Sequence, residues 1–281
     1  MKGMLLRVYK FSRKVFSINK QSGESERMIS ELYNIQDIQY RDMLDIVSNN
    51  FKIRHNNELY LKTNYPIAYE SLDHLHPLGT MQDNTRSISF YNKCALLYKD
   101  QLSYLDLGCS GGGLVFDFSL HGRVSIGLEG SDYSKKKGRA NWRTIPNNLF
   151  TCDITQPFEI LSKANNTKFK FKIVSCWEVL EHIDEHDLKQ FFINVLAHLD
   201  CDGIFVGSIS QVASDPLHVT VKKFDWWKSM FLKNGLTILP DDENPFEFTD
   251  YARGTGNGAF DTCNYFLNQD LGFHFVAKKN P

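Results

Sequence analysis

Short apolar runs alternate with helically spaced apolar positions over most of the chain downstream of residue 90, and this alternation predicts an α/β fold. The clearest stretch is Ser103 to Ser134. Tyr104-Leu105-Asp106-Leu107 has strand character, and Gly108 to Gly113 lets the backbone turn without side chains. Leu114, Val115, Phe118 and Leu120 follow at helical spacing, and Val124 to Leu128 is a second apolar run that ends on Glu129. This is a β-turn-α-β unit with a carboxylate at the tip of its second strand. Further strands are predicted at Leu149 to Ile154, Phe169 to Val174, Gly203 to Ser210, Leu236 to Leu239 and Gly272 to Lys278. Helices are predicted at Asn92 to Leu102, Ser134 to Trp142, Asp187 to Leu199 and Phe224 to Leu232. Asp200 to Gly203 reads as a turn. Upstream, Glu24 to Phe51 repeats apolar residues at three- and four-residue steps and reads as helix. Two segments resist any period: Tyr65 to Phe90, polar and rich in turn residues, and Asp241 to Asp270, rich in acids, glycine and aromatics. Structureless stretches of that length inside a compact domain usually carry function. The expected division is an N-terminal helical and lid segment, residues 1–91, then a single α/β domain, 92–281, with an insertion at about 241–270.

Composition narrows the field. With 281 residues, 42% hydrophobic and 23% charged, the chain can bury a large core. A formal charge of −1 gives no global pull toward nucleic acid. No apolar run approaches the ~20 residues of a membrane span. Met1 to Lys20 carries six basic residues and no acid, and reads as a basic terminal arm. The six cysteines form no CxxC pair and sit mostly in or beside predicted buried strands. They read as free thiols in a reducing compartment, so a cytoplasmic location is expected.

The Gly-rich turn sets the chemistry. A dinucleotide fingerprint fails because Ser110 stands at its third position, and no Gly-Lys-Ser/Thr ending marks a triphosphate loop. What fits is Asp-x-Gly-Cys-(Gly/Ser)-x-Gly at Asp106 to Gly112, and here the chain resembles the class I S-adenosylmethionine-dependent methyltransferases. A second string, Trp177-Glu178-Val179-Leu180-Glu181-His182-Ile183, resembles the same family. So does Asp73-His74 through Pro77, Gly79-Thr80 and Asp83-Asn84, which precedes the core domain. The resemblance covers about Tyr65 to the C-terminus.

The resemblance implies a Rossmann-like, doubly wound, mostly parallel seven-stranded sheet with an antiparallel last strand. It implies S-adenosylmethionine as cofactor, held by Asp106, Gly108, Cys109, Ser110 and Gly112, with Glu129 and Gly130 at the ribose, Asp153 and Ile154 at the adenine, and Trp177 or Glu178 at the methionine end. Tyr65, Asp73, His76, Thr80, Asp83 and Asn84 would form a lid or substrate segment. Trp226 and Arg253 join them as acceptor-side candidates. An acceptor hydroxyl needs a base, and His182 and His218 are the candidates, with Glu178 beside them. A divalent metal stays open: the Asp73-His74-x-His76 spacing matches no metal pattern, and only Asp215 sits where a catechol-type site would place an acid. The position after the fourth strand lacks the Asn/Asp-Pro-Pro-aromatic tetrapeptide of nucleic-acid amino-methyltransferases. Asp241, Asp242, Glu243, Phe246, Phe248 and Tyr251 suit a hydroxyl-rich ligand, so the expected activity is O-methylation of a sugar or glycan. The alternatives are a methyltransferase of a phenol, carboxylate or amine, a catalytically inactive cofactor-binding scaffold, and a nicotinamide oxidoreductase. Both a monomer and a homodimer are compatible with the sequence.

Overall fold

The computed structural model describes residues 53–257 and 261–280. The helix expected at Glu24 to Phe51 and the basic start lie outside the described residues.

Nine strands are named among the described residues: β1 (Leu59–Thr63), β2 (Ser103–Leu107), β3 (Val124–Glu129), β4 (Leu149–Thr151), β5 (Phe158–Ser162), β6 (Phe171–Trp177), β7 (Leu199–Ser210), β8 (Leu236–Ile238) and β9 (Gly272–Lys279). The helices are α1 (Leu72–Leu75), α2 (Ile88–Tyr98), α3 (Gly113–Leu120), α4 (Tyr133–Lys137), α5 (Leu188–His198) and α6 (Phe224–Lys233). Seven strands form one sheet in the order β4-β3-β2-β6-β7-β9-β8. Pairs among the first five are parallel, and β9 runs antiparallel to both its neighbours. This is the Rossmann-like, mostly parallel sheet with an antiparallel last strand. The apolar runs explain it: strands covered by helices on both faces lose the polar alternation of a half-exposed sheet. Every residue of β2 is buried, including Asp106.

Two features depart from the sequence expectation. β7 starts at Leu199, and Asp200 to Gly203, where a turn is expected, lies inside it as an irregularity between the Leu199 and Ile204 pairs with β6. A separate two-stranded antiparallel sheet pairs β1 with β5, Leu59 opposite Ser162 and Thr63 opposite Phe158.

The core is aromatic. On one side of the sheet Phe192, Phe205, Phe231 and Phe275 pack with ring centroids 4.9–5.8 Å apart. On the other side Tyr104 stacks on Phe118 at 3.9 Å, and Phe90 of α2 meets Phe118 and Trp177 edge-on. Such ring pairs add about 0.5–1.5 kcal/mol beyond area burial. Of these, the Phe90–Trp177 pair reaches the tip of β6, which lies beside β2 where the chain order reverses. Open α/β sheets bind ligands in the crevice outside the strand tips at such a switch point.

Candidate functional site at the strand tips

The turn after β2 is held by main-chain geometry that few residues tolerate. Gly108 and Gly112 have φ of 82° and 80°, and Ser110 between them has φ of 46°. Gly108 N–H and Cys109 N–H both donate to the Leu128 carbonyl, which ties the turn to the end of β3. Glu129 completes the tie. Its carboxylate accepts from Ser110 N–H at 2.7 Å and from Ser131 N–H at 3.0 Å. A carboxylate offers about four acceptor positions, so two remain for a ligand. Burial pushes the Glu129 carboxyl up to about 7, against the pull of the two backbone donors. Asp106 is also raised to about 7 by burial, although Ser175 and Tyr104 hydrogen bonds oppose the shift. Tyr104 OH, Ser175 Oγ and Asp106 form a buried relay with two 2.7 Å bonds.

Segment 65–86 lies across these tips. Asp153 N–H donates to the Tyr65 carbonyl and Ala68 N–H to the Gly130 carbonyl. Ser110 Oγ donates to the Thr80 and Asp83 carbonyls, and Arg139 reaches the same two carbonyls at 2.5 Å. A Cβ on Gly113 would stand 2.2 Å from the Thr85 carbonyl oxygen, so the segment touches the first residue of α3. Arg253, from the stretch after β8, donates to Asp83 at 2.9 Å and to Thr85 Oγ1 at 3.2 Å. Under this cover lies a cavity of about 20 Å³ lined by Asp83, Thr85, Asp106, Gly108, Trp177 and Arg253, among others. Ligand pockets are usually ~300 Å³ or more. A cofactor-sized ligand does not fit this cavity as it stands. A larger surface groove at Asp184, His186, Lys189 and Lys233 holds none of the strand-tip residues.

The remaining expected residues divide. Asp153 uses Oδ1 to accept from Thr155 N–H and Oγ1, which leaves its second oxygen, and Ile154 is buried beside it. Trp177 is buried, with Nε1 lacking a partner. His76 is exposed beyond the end of α1. Trp226 has its ring contacts on α6, with Trp227 and under Lys222. The rings of Phe246 and Tyr251 are buried, one stacked on Phe90 and the other on His274, so they are core rather than sugar platforms. Phe266, 69% exposed and 5.3 Å from Phe248, is the ring the stretch leaves open.

Just beyond β6 and β7 sits a second cluster. Glu178 has φ of 54°, a strained value for a residue with a side chain, and its Oε2 accepts from Tyr265 OH at 2.5 Å. Tyr265 is a functional-site neighbour that no local pattern announces. Its ring is clamped between Gly254 and Gly272, at each of which a Cβ would come within 2.3 Å of the ring. Burial and the Glu178 carboxylate raise its phenol well above the ordinary range. Glu181 is fully buried and accepts from Ser210 N–H at 2.9 Å. Burial, then Glu178, pushes its carboxyl upward. His182 Nδ1 lies 3.0 Å from Asp73 of α1. Burial lowers its pKa, but Asp73 and Glu181 outweigh that and hold the imidazole protonated. His218 Nδ1 sits 2.7 Å from the Val212 carbonyl, so Nδ1 carries the proton and Nε2 the lone pair. Its ring meets that of His182 edge-on at 4.8 Å. Burial and the charged His182 lower its pKa.

The cradle fits an amino-acid-bearing nucleoside by its donor set. Carboxylates at Asp106 and Glu129 suit an ammonium and a ribose diol, and Arg253 suits a carboxylate. The orphaned Trp177 Nε1 faces no protein partner. No helix among the described residues is long and apolar enough to cross a membrane.

Comparison with known proteins adds the family. A family profile described as "Methyltransferase domain" matches residues 79–243, more than half of the chain. Among solved structures, the chain is similar to a TehB-like SAM-dependent methyltransferase from Corynebacterium glutamicum, at 14% identity and TM-score 0.46, over 73% of this chain and 94% of that one. It is similar to an S-adenosylmethionine-dependent methyltransferase from Clostridium acetobutylicum, at 15% identity and TM-score 0.47, over 73% and 95%. It is also similar to the glycopeptide N-methyltransferase MtfA complexed with sinefungin, at 16% identity and TM-score 0.44, over 69% and 94%. A search of curated protein sequences gives no match. By its profile match, the chain belongs to the methyltransferase domain family, and its sheet has the class I, Rossmann-like arrangement.

Proposed function

We propose that this protein transfers a methyl group from S-adenosylmethionine to a hydroxyl of a sugar or glycan-bearing acceptor. The observation that carries the proposal is the pair of buried carboxylates, Asp106 and Glu129, at adjacent strand tips around a bare-backbone turn. Bound there, S-adenosylmethionine supplies an electrophilic methyl on a sulfonium. The two unused acceptor positions of Glu129 take the ribose diol. Asp106 and Arg253 take the ammonium and carboxylate of the methionine end, Asp153 the adenine amino group, and Ile154 packs on the ring. The Trp177 ring stabilises the cationic end.

The acceptor oxygen comes from the side of Glu178, His182 and His218. As the oxygen bonds to the methyl carbon and the carbon–sulfur bond breaks, the hydroxyl proton passes to His218 Nε2. His218 suits that role because Val212 fixes the proton on the other ring nitrogen. Asp73, 3.0 Å from His182 Nδ1, keeps that imidazole charged. Segment 65–86, with Tyr65, Thr80, Asp83 and Asn84, serves as the lid: it lifts to admit cofactor and closes to exclude water. The stretch at about 241–270 supplies the acceptor face, through Asp241, Asp242, Glu243 and the exposed Phe266. Carboxylates accept sugar hydroxyl hydrogen bonds, and an open ring stacks on a sugar face.

Incubation with methyl-labelled S-adenosylmethionine and a panel of nucleotide sugars and oligosaccharides tests the proposal. Label in a sugar product supports it. Label only in a phenol, carboxylate or amine overturns the acceptor. Cofactor binding with no transfer to any acceptor indicates a scaffold.

A further inference from the structure

We propose that Glu181, His182 and His218 bind one divalent transition-metal cation, which holds the acceptor hydroxyl and lowers its pKa; this rests on the methyl-transfer function proposed above and puts the cation in place of its histidine base. A potential ligand atom from each of the three lies within 4.8 Å of the others. The residues come from two loops at the same end of the sheet, after β6 and after β7.

Three features of their surroundings point to an ion. Glu181 is 0% exposed, and while one oxygen takes Ser210 N–H, its Oε2 is buried without any hydrogen-bond partner. A buried carboxylate oxygen left unpaired is costly unless a cation or donor completes it. Glu178, three residues earlier on the same turn, has a second such oxygen, Oε1. His218 Nδ1 is tethered to the Val212 carbonyl, and His182 Nδ1 lies 3.0 Å from the Asp73 carboxylate. On His218 that leaves Nε2 with its lone pair, 3.8 Å from Asp215 Oδ2; the charged His182 offers a ligand nitrogen once the cation takes the place of its proton, and backbone carbonyls and carboxylates are the outer partners that orient metal-binding histidines. One carboxylate and two imidazoles suit a first-row divalent ion such as Mn²⁺, Co²⁺ or Zn²⁺ and leave positions for water and an acceptor oxygen. The other candidate group, Asp200, Cys201 and Asp202, lies at the surface, where both carboxylates already hold Lys172.

With the cation in place His218 is a ligand, not the base. The coordinated hydroxyl releases its proton to water. Its oxygen then bonds to the methyl carbon while the carbon–sulfur bond breaks, and the thioether leaves with that electron pair.

The test titrates chelator-treated full-length protein with Co²⁺. Visible absorption of a bound ion and calorimetry report the site independently of turnover. One equivalent is expected to bind. His218→Ala and Glu181→Gln should weaken it by more than about tenfold, and Asp73→Asn by about tenfold, the usual effect of losing an outer partner. Asp202→Asn, on the surface group, should leave it unchanged. Circular dichroism shows which variants fold; Asp73→Asn, at a partly exposed outer partner, decides if neither His218→Ala nor Glu181→Gln folds. No binding overturns the proposal, as does binding that His218→Ala leaves intact. Labelled methyl transfer that persists in EDTA but is lost in His218→Ala overturns the cation and keeps the methyltransferase with a histidine base. Co²⁺ bound at the cluster with no S-adenosylhomocysteine binding overturns the methyl-transfer reading on which it rests.

Discussion

Glu129→Gln tests the cradle with little change in volume. The wild-type carboxylate accepts two backbone N–H groups and keeps two acceptor positions for a ribose diol. A glutamine has one carbonyl oxygen, so its amide nitrogen must face either Ser110 N–H or Ser131 N–H. The variant therefore loses charge-assisted hydrogen bonds to the ligand and strains the turn. Loss of a hydrogen bond to a charged group costs ~1–3 kcal/mol, or roughly 5- to 150-fold in Kd. The pH dependence adds a second reading. The Glu129 carboxyl titrates at about 7 in the free protein, raised mainly by burial. Diol hydroxyls donate to its ionised form, so binding is favoured as pH rises through 7. At pH 6 the wild-type group is mostly protonated and resembles glutamine; at pH 8 it is ionised. The ratio of variant to wild-type Kd should climb by up to about tenfold between those values. Taking the ratio cancels the contribution of Asp106, which titrates in the same range. Calorimetry with S-adenosylhomocysteine at pH 6, 7 and 8 measures it. A ratio within twofold of unity at all three would refute the ribose assignment.

Other expectations concern the lid and the frame. Gly113→Ala adds a better helix former, worth about 1 kcal/mol in isolation, yet its Cβ meets the Thr85 carbonyl. The clash should win and destabilise the fold by ~1–3 kcal/mol in urea titration; a stabilised variant would mean that segment 65–86 does not rest on α3. Asp83→Ala removes the carboxylate that Arg253 and Thr85 share. Proteolysis within 65–86 should then speed up, and S-adenosylhomocysteine should slow it again; equal rates in wild type and variant would show that the pair does not hold the segment. His198 accepts from Ile160 N–H through Nε2 and sits 2.8 Å from the Asn194 carbonyl through Nδ1, so it is buried neutral, and burial lowers it to about 4. Its folded value lies below the unfolded ~6.5, so its contribution is present above pH 6.5 and is lost as pH falls. The stability difference between wild type and His198→Gln should shrink by about 2 kcal/mol from pH 7 to pH 5 in urea titrations; a constant difference would exclude a neutral buried imidazole.

Legibility in the sequence followed the range of the interactions. The β2–α3–β3 unit could be read because its signals are local: apolar strands buried on both faces, a turn requiring positive φ at Gly108 and Gly112, and acids at strand ends. The β1–β5 pair could not, since its partners lie about 100 residues apart and Leu59 to Thr63 is too short to show a period. Asp200 to Gly203 has turn composition and forms the irregularity within β7, between the Phe171–Leu199 and Ile173–Ile204 pairs with β6. The site contacts missed were tertiary. Tyr265 reaches Glu178 across 87 positions, and Arg253 reaches Asp83 across 170. Acids and rings near 241–251 suggested a ligand face, and the fold uses Phe246 and Tyr251 instead to close the core against Phe90 and His274.

The most direct measurement is a structure of the full-length protein co-crystallised with S-adenosylhomocysteine. The account predicts ribose density against Glu129, adenine beside Asp153 and Ile154, and the homocysteine end between Asp106, Trp177 and Arg253, with segment 65–86 displaced or rearranged over it. Density at any other place, or a closed segment over an unaltered 20 Å³ cavity at saturating ligand, would contradict it.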